Sequence, residues 1–383
     1  MKKNYLIMLM LVLVQIVSAA DDAPVRIKSI PYYLDAIKKE AKVAYDRERR
    51  IDLDIVVIPE TVSYDGETYK VTSIGEEAFV NCPFSNITLP NSILSIEKDA
   101  LGGCKNLKSI TIPKSVKYIA NGFLNFSDGV TSIVVDKDNE VYDSRNDCNA
   151  IIETETNELI QGCQNTIIPN TVKRIGDQAF AGIRTLTSLD IPNSVKSIGS
   201  RAFDNTGLKT FTMPNSVLHI GTGVFDRCAE LTSLTLSESL DVLPDATISG
   251  CEKLKSVVIP SSIKNIEESA FFDSGLESIT FMSPTIPKGL LDGGEIMKGL
   301  NLSVYVMEKL TIHVPVGCKD EYKGCEEYVY RVVDDVILPE QATGVSKIQA
   351  INNKSSVYNL SGTRISAPRK GINIKNGKKY ILK

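Results

Sequence analysis

The feature that most limits what this chain can fold into is a spacing. Prolines, or the residues standing in for them, fall at Pro90, Pro113, Asp136, Pro169, Pro192, Pro214, Ser237, Pro260 and Ser283, and the steps between them are 23 residues apart from one of 22 and one of 33. An apolar position keeps the same clock: Phe79, Leu101, Phe123, Phe180, Phe203, Phe225, Ile248 and Phe271. So does an Ile or Leu four or five residues ahead of it: Ile74, Ile96, Ile119, Ile175, Ile198, Ile220, Leu243 and Ile266. Three anchors on one period predict a solenoid, because a unit this short cannot bury its apolar face except against a neighbour like itself.

One unit, from Leu208 to about Cys228, can be read physically. Leu208, Phe211 and Met213 are expected to point inward from a short strand while Thr210 and Thr212 point outward. Pro214 has no N–H to give to a ladder, and Asn215 and Ser216 supply turn chemistry, so the strand ends there. Val217 and Ile220 make a second apolar edge, Gly221 permits the next corner, and Phe225 plugs the interior from a short helical turn. Stacked at about 4.8 Å per coil, roughly ten such coils would span about 50 Å.

The segments SLDIPNSVKSIGSRAF (188–203), SVVIPSSIKNIEESAF (256–271) and SITIPKSVKYIANGF (109–123) resemble the BspA-like, or Treponema-type, leucine-rich repeats. The resemblance covers about residues 71–330, and it is specific for fold rather than for function. It implies a bacterial surface or secreted protein of the kind common in gut and oral Bacteroidetes. It also implies a β-hairpin variant repeat for SIVVDKDNEVYDSRNDCNAIIETETNELIQGC (132–163), where the 33-residue step falls, with Ala150–Glu153 pairing Glu158–Gln161 across the Thr154–Asn157 turn.

The domain plan that follows is a signal peptide at 1–20, an N-terminal β cap at 21–70 with an Asp65-Gly66 hairpin, and a β-rich solenoid at 71–310 whose variant repeat spans 132–165. A strand-and-helix cap at 311–336 and a linker with a small β-hairpin module at 337–383 complete it. The module's turn is signalled by Asn376-Gly377, and the tail resembles those of exported Bacteroidetes proteins. Lys2 and Lys3, a 13-residue apolar run from Tyr5 to Val17 and the small residues Ser18, Ala19 and Ala20 make the leader. A bilayer span needs roughly 20 apolar residues. The mature chain is therefore expected to be exported, periplasmic or at the outer surface, with no transmembrane segment.

Loss of the leader removes two of the 43 basic residues and none of the 47 acidic ones. A mildly acidic chain with scattered charge carries no footprint for nucleic acid. Chemistry is equally hard to place. The two histidines, His219 and His313, make no metal or triad spacing with carboxylates, and there is no P-loop, GxGxxG or HExxH. No cofactor and no catalytic residue is expected. Of the eight cysteines, Cys82, Cys104, Cys228 and Cys251 recur three residues after the plug, at a slot filled elsewhere by Phe126, Ile183, Thr206 and Ser274, and read as small buried filler. Cys148 and Cys163 are placed symmetrically about the Thr154–Asn157 turn, which would bring them opposite each other within disulfide range.

Function is therefore assigned to surface. The outward strand positions form a ladder of Ser109/Thr111, Ser132/Val134, Ser188/Asp190, Thr210/Thr212, Ser233/Thr235, Ser256/Val258 and Ser278/Thr280. A stripe of Lys117, Lys173, Lys196 and Lys264 marks the next face and reads as solvated charge. Trp is absent and tyrosines concentrate in the caps, which disfavours a glycan platform on the central sheet and leaves docking at one end as a rival. The expectation is an adhesin-like protein whose partner is host extracellular matrix or another bacterial surface. A structural envelope component is the alternative, and a hydrolase with an unfamiliar site is third.

Overall fold

The computed structural model describes residues 23–47, 51–290, 308–327 and 329–338, together with four strands between Val357 and Leu382. The leader expected at 1–20 and the linker beyond Leu338 lie outside the described residues. The chain forms two compact units, one running to Val195 with Gly199–Gly207, the other comprising Lys196–Ile198 and the chain from Leu208.

The first unit opens with an antiparallel meander, Val25–Ile27, Ile30–Asp35 and Glu40–Val43. Its last strand pairs in parallel with Glu67–Ile74, which continues in parallel to Ser95–Ile96 and then Tyr118–Ile119. Asp65 and Gly66 both take positive φ, 49° and 77°, as a two-residue primed turn requires, and close the hairpin Thr61–Tyr64 with Glu67–Ile74. A second row carries the strands before the prolines. Ser109–Ile112 pairs in parallel with Ser132–Val135, each residue opposite the one 23 later. This row begins earlier than the sequence period indicates: Ile55–Val57 pairs in parallel with Asn86–Thr88, so the segment read as cap already supplies a coil.

Each proline corner is a tight turn. The N–H groups of Ile93, Val116, Val172 and Val195 donate to the carbonyls of Pro90, Pro113, Pro169 and Pro192 at 3.0–3.2 Å. The ring thus ends the strand without leaving a donor unmet. The turn around each plug is not the helix expected. Residues two before and two after the plug sit in the left-handed region, as at Glu77 and Asn81, Asp99 and Gly103, and Gln178 and Gly182. The backbone between them ladders to the next coil: Phe79 N–H to Ala100 O at 2.9 Å, Asn81 N–H to Gly102 O at 2.7 Å, Phe180 N–H to Ala202 O at 2.8 Å. An α-helix would spend those donors inside its own turn; here they stitch coil to coil.

This ladder also corrects one position. Leu101 N–H bonds Phe123 O, and the left-handed pair of that coil is Gly122 and Phe126, so Leu124 rather than Phe123 holds the plug register. Both side chains are buried. By the same count Ser127, not Phe126, occupies the cysteine slot.

The second unit repeats the plan. Thr210–Thr212 pairs in parallel with Ser233–Thr235, and Ser256–Ile259 with Ser278–Phe281. The row then runs on through Thr311–Pro315 to Arg331–Val336, all parallel, around the 3₁₀ segment Lys319–Glu327. Tyr322 on that segment is fully buried against Phe281, and its hydroxyl donates to the carbonyls of Ser283 and Thr285 at 2.9 and 3.0 Å. Leu208, Phe211, Met213, Val217 and Phe225 are all buried, while Thr210 and Thr212 are exposed. Ile220 is only partly covered. Four antiparallel strands, Val357–Tyr358, Arg364–Ile365, Gly371–Lys375 and Lys378–Leu382, form a separate sheet at the C-terminal end.

Candidate functional site

The outward strand row differs between the two units. In the second unit it is the hydroxyl face expected: Thr210 stands opposite Ser233, Thr212 opposite Thr235, Ser256 opposite Ser278, and Val258 opposite Thr280. Thr210, Thr212, Ser233, Thr235 and Ser256 are exposed; Ser278 and Thr280 are half-buried. Thr280 is followed in register by His313, whose Nδ1 lies 2.8 Å from Asp335 Oδ1. Alternation places every inner neighbour in the core, so the outer face is flat and small-featured.

In the first unit the row is more apolar. Ser109 and Thr111 are exposed as anticipated, but their neighbours include Val134, and the early coil contributes Ile55 and Val57, each about 60% exposed. Ser188 and Asp190 are also exposed, yet they belong to no strand. The ladder is therefore broken in this region, where the variant repeat intervenes.

That repeat is built as a hairpin, Ala150–Glu153 with Glu158–Gly162, preceded by Tyr142–Asp143 and followed in parallel by Arg174–Ile175. Arg145 holds it, its guanidinium bonding Asp143 Oδ1 at 2.7 Å and Asn157 Oδ1 at 2.8 Å. The expected opposition of Cys148 and Cys163 does not survive the register. Pairs near the turn, Glu153 with Glu158 and Ile152 with Leu159, are symmetric about it, but an irregularity between Ile151 and Ile152 shifts Ala150 opposite Gly162. A one-residue shift moves a side chain to the other face of the partner strand. Both cysteines are buried free thiols, Cys148 Sγ facing Ala150 O at 3.7 Å and Cys163 Sγ facing Asn149 O at 3.4 Å. Burial pushes the Cys148 thiol up to about 11 and raises that of Cys163.

The cysteine slot three residues after the plug has a common chemistry. Cys104 Sγ donates to Phe79 O at 3.1 Å, Ser127 Oγ to Leu101 O at 2.6 Å, Thr206 Oγ1 to Phe203 O at 3.0 Å, and Cys251 Sγ to Phe225 O at 3.2 Å. The slot is buried, and a donor there can reach a plug carbonyl but is not required: Ile183 has none, and Ser274 Oγ is buried without a partner. Burial raises the Cys251 thiol well above its ordinary value, so it is no nucleophile near neutral pH.

Charged groups are arranged as surface pairs. The carboxyls of Glu140 and Glu230 are held below the usual range by hydrogen bonds from Lys117 and Lys253, at 2.8 and 2.7 Å. His219, opposite Ser197, is an exposed strand residue. Among the described residues no group of three or more His, Cys, Asp or Glu is disposed to hold a metal ion, and no helix is long and apolar enough to cross a membrane. Several cap tyrosines prove to be core: Tyr32, Tyr69 and Tyr322 are buried, while Tyr33, Tyr45, Tyr64 and Tyr330 remain exposed.

Several solved structures are similar to the chain. A leucine rich cell surface protein from Faecalibacterium prausnitzii is 19% identical over 80% of this chain and 98% of its own, with a TM-score of 0.41. A leucine-rich repeat protein from Eubacterium ventriosum is 18% identical over 72% and 94%, with a TM-score of 0.44. The pneumococcal vaccine antigen PcpA is 14% identical over 82% and 99%, with a TM-score of 0.43. No curated protein matches the sequence. The family model described as BspA type leucine rich repeat region matches six copies, over residues 67–154 and 150–280, which is more than half of the chain. With parallel coils in register and the plug ladder on the same period, the chain belongs to the BspA-type leucine-rich repeat family.

Proposed function

We propose that the chain is an exported, surface-located protein that binds other proteins in the manner of an adhesin, and that its coils form a solenoid whose outward strand row is the contact face. The observation that carries this reading is the second unit's row, where Thr210, Thr212, Ser233 and Thr235 present exposed hydroxyls in register on adjacent strands. Hydroxyls both donate and accept, and short side chains lose little rotamer freedom when a partner covers them. Stacked coils repeat such a surface without a break, the usual basis of extended binding faces in repeat proteins. Host extracellular matrix or a second bacterial surface is the partner class the repeat type implies. The test is saturable binding of the exported chain to immobilised matrix proteins and to whole bacteria. The double variant Thr212→Lys, Thr235→Lys is expected to abolish it with unchanged circular dichroism; undiminished binding sinks the assignment of the face.

The same row supports a second reading. Hydroxyl and β-branched pairs stabilise a sheet by about 0.2–1 kcal/mol each with no partner present. An envelope component would be built the same way. Protease treatment of intact cells separates the two: a shielded chain in a stable complex favours the envelope role, a shaved chain the adhesin.

A further inference from the structure

The first unit carries a concave feature that the strand row does not use. Beside the ends of Glu40–Val43 and Glu67–Ile74 lies a groove of about 640 Å³, within the range of small-ligand sites. Tyr33 and Tyr45, as residues 39% and 38% exposed, line it, and Lys42, Arg47, Glu76 and Glu97 share its wall.

Its polar groups are partly preset. Lys42 Nζ lies 3.4 Å from Glu97 Oε1, and Arg26 Nε fixes Asp46 at 2.8 Å from behind. Arg47 and Glu76 make no ion pair with another described residue, so one cation and one carboxylate face the groove with bonding capacity to spare. The backbone donors around it are committed: Ala44 N–H to Pro31 O at 2.9 Å, Gly75 N–H to Val43 O at 2.8 Å, Glu97 N–H to Ile74 O at 2.9 Å, and Glu76 N–H to Glu97 Oε2 at 3.0 Å. An extended peptide added as a strand would find none of these four donors free. Recognition must come from side chains alone.

Those side chains favour one chemistry. Mixed charge disfavours a strongly ionic ligand of either sign. Amphipathic tyrosine rings offer apolar faces to C–H surfaces, and Arg47 and Glu76 supply the donors and acceptors that hydroxyls need. The floor is rigid, since Val43 and Ala44 are buried and a Cβ on Gly75 would stand 2.5 Å from Val43 O. We propose that this groove binds a short neutral saccharide, stacked on Tyr33 and Tyr45 and hydrogen-bonded by Arg47 and Glu76. This site is independent of the strand row and of the protein partner proposed for it.

The experiment titrates cellotriose, maltotriose and chitotriose into the exported chain. Calorimetry and tyrosine fluorescence both report, the latter cleanly because the chain has no Trp. Saturable binding of at least one trisaccharide is expected at about millimolar Kd or tighter. Tyr45→Ala and Tyr33→Ala should each weaken it about tenfold, and Glu76→Gln several-fold, while Tyr45→Phe keeps it because the ring remains. The Thr212→Lys, Thr235→Lys double variant should leave it unchanged, which separates this site from the strand row. No saturation by any of the three up to about 10 mM overturns the proposal. So does binding that survives Tyr45→Ala in a variant with native circular dichroism, or a preference for a heparin-derived hexasaccharide over all three.

Discussion

Ile119 donates its backbone N–H to the phenol oxygen of Tyr142, across 3.1 Å and in a buried setting. Tyr142 belongs to the variant repeat, and at this point a side chain does what the next coil's carbonyl does elsewhere. Ile266, the matching position of a later coil, bonds Lys288 O of the coil that follows it at 2.9 Å.

Tyr142→Phe is therefore expected to destabilise the chain by about 1–3 kcal/mol, the penalty of an orphaned buried donor rather than of lost packing. Urea denaturation at pH 7 measures it. A cost below about 0.5 kcal/mol would place the N–H in contact with water.

Phe203 stacks on Phe180 with ring centroids 5.5 Å apart, and both side chains are fully buried. Phe203→Ala should cost about 3–5 kcal/mol through the cavity it opens. A surface-like change in the denaturation midpoint would contradict its inward placement.

Two glycines separate strain from crowding. Gly66 and Gly182 have nearly equal φ, 77° and 75°, but an added Cβ meets nothing within 4 Å at Gly66, whereas at Gly182 it falls 2.6 Å from Phe126 Cα. Gly66→Ala is expected to cost about 1 kcal/mol, the left-handed penalty alone. Gly182→Ala should cost at least twice that, because backbone must move. Equal costs would mean that the coils separate easily.

Stability should decline on the alkaline side. Burial raises the thiols of Cys148 to about 11 and Cys325 to about 12, and the Tyr32 hydroxyl to about 12. A raised acid holds its proton in the folded state after the unfolded chain has released it. The stabilising difference is thus full below the unfolded values, near 9 for thiols, and is lost as pH climbs towards 12. The urea midpoint is expected to fall as pH rises from about 9 towards 12, and a flat profile would disprove the burial of these groups.

Ellman's reagent in urea should count eight thiols without prior reduction, Cys148 and Cys163 among them, and these two should resist it in the folded state at pH 7. A count of six that rises to seven in Cys148→Ser would establish a bridge between Cys148 and Cys163.

Much of this was legible from spacing alone. The strands before Pro113, Pro214 and Pro260, the inward alternation of Phe211 and Met213, and the Asp65-Gly66 turn all follow from period, pleat and turn chemistry. What escaped has physical reasons. The coil at Ile55–Val57 stands 31 residues ahead of its partner instead of 23, because the Thr61–Ile74 hairpin is inserted between them; the Ile58-Pro59 pair was its signal. The plug turns look helical in sequence because their left-handed residues are Glu77, Gln178, Arg201 and Ala246 rather than glycine. Phe123 and Leu124 are both apolar, so only the ladder tells which keeps register. The strand irregularity at Ile151 leaves no mark in composition, and it misplaces Cys148. Of the binding row, exposure of the alternate hydroxyls was readable, but not that Ser188 and Asp190 lie outside any strand.

The variant repeat adds a hairpin, and the plug ladder crosses it on one rung: Phe126 N–H bonds Ala181 O at 3.1 Å, while Ala179 O, which register would give to Leu124, accepts from Gly162 of the hairpin at 2.9 Å. Extra chain is thus admitted at one corner of the coil, and its returning strand takes up a rung of the stack in place of the coil it displaces. The Thr61–Ile74 hairpin enters at a comparable place, after Ile55–Val57 of the second row. For descent and for engineering this makes that corner a grafting port, where loops of new length can be exchanged provided that they return a strand able to take the vacated rung.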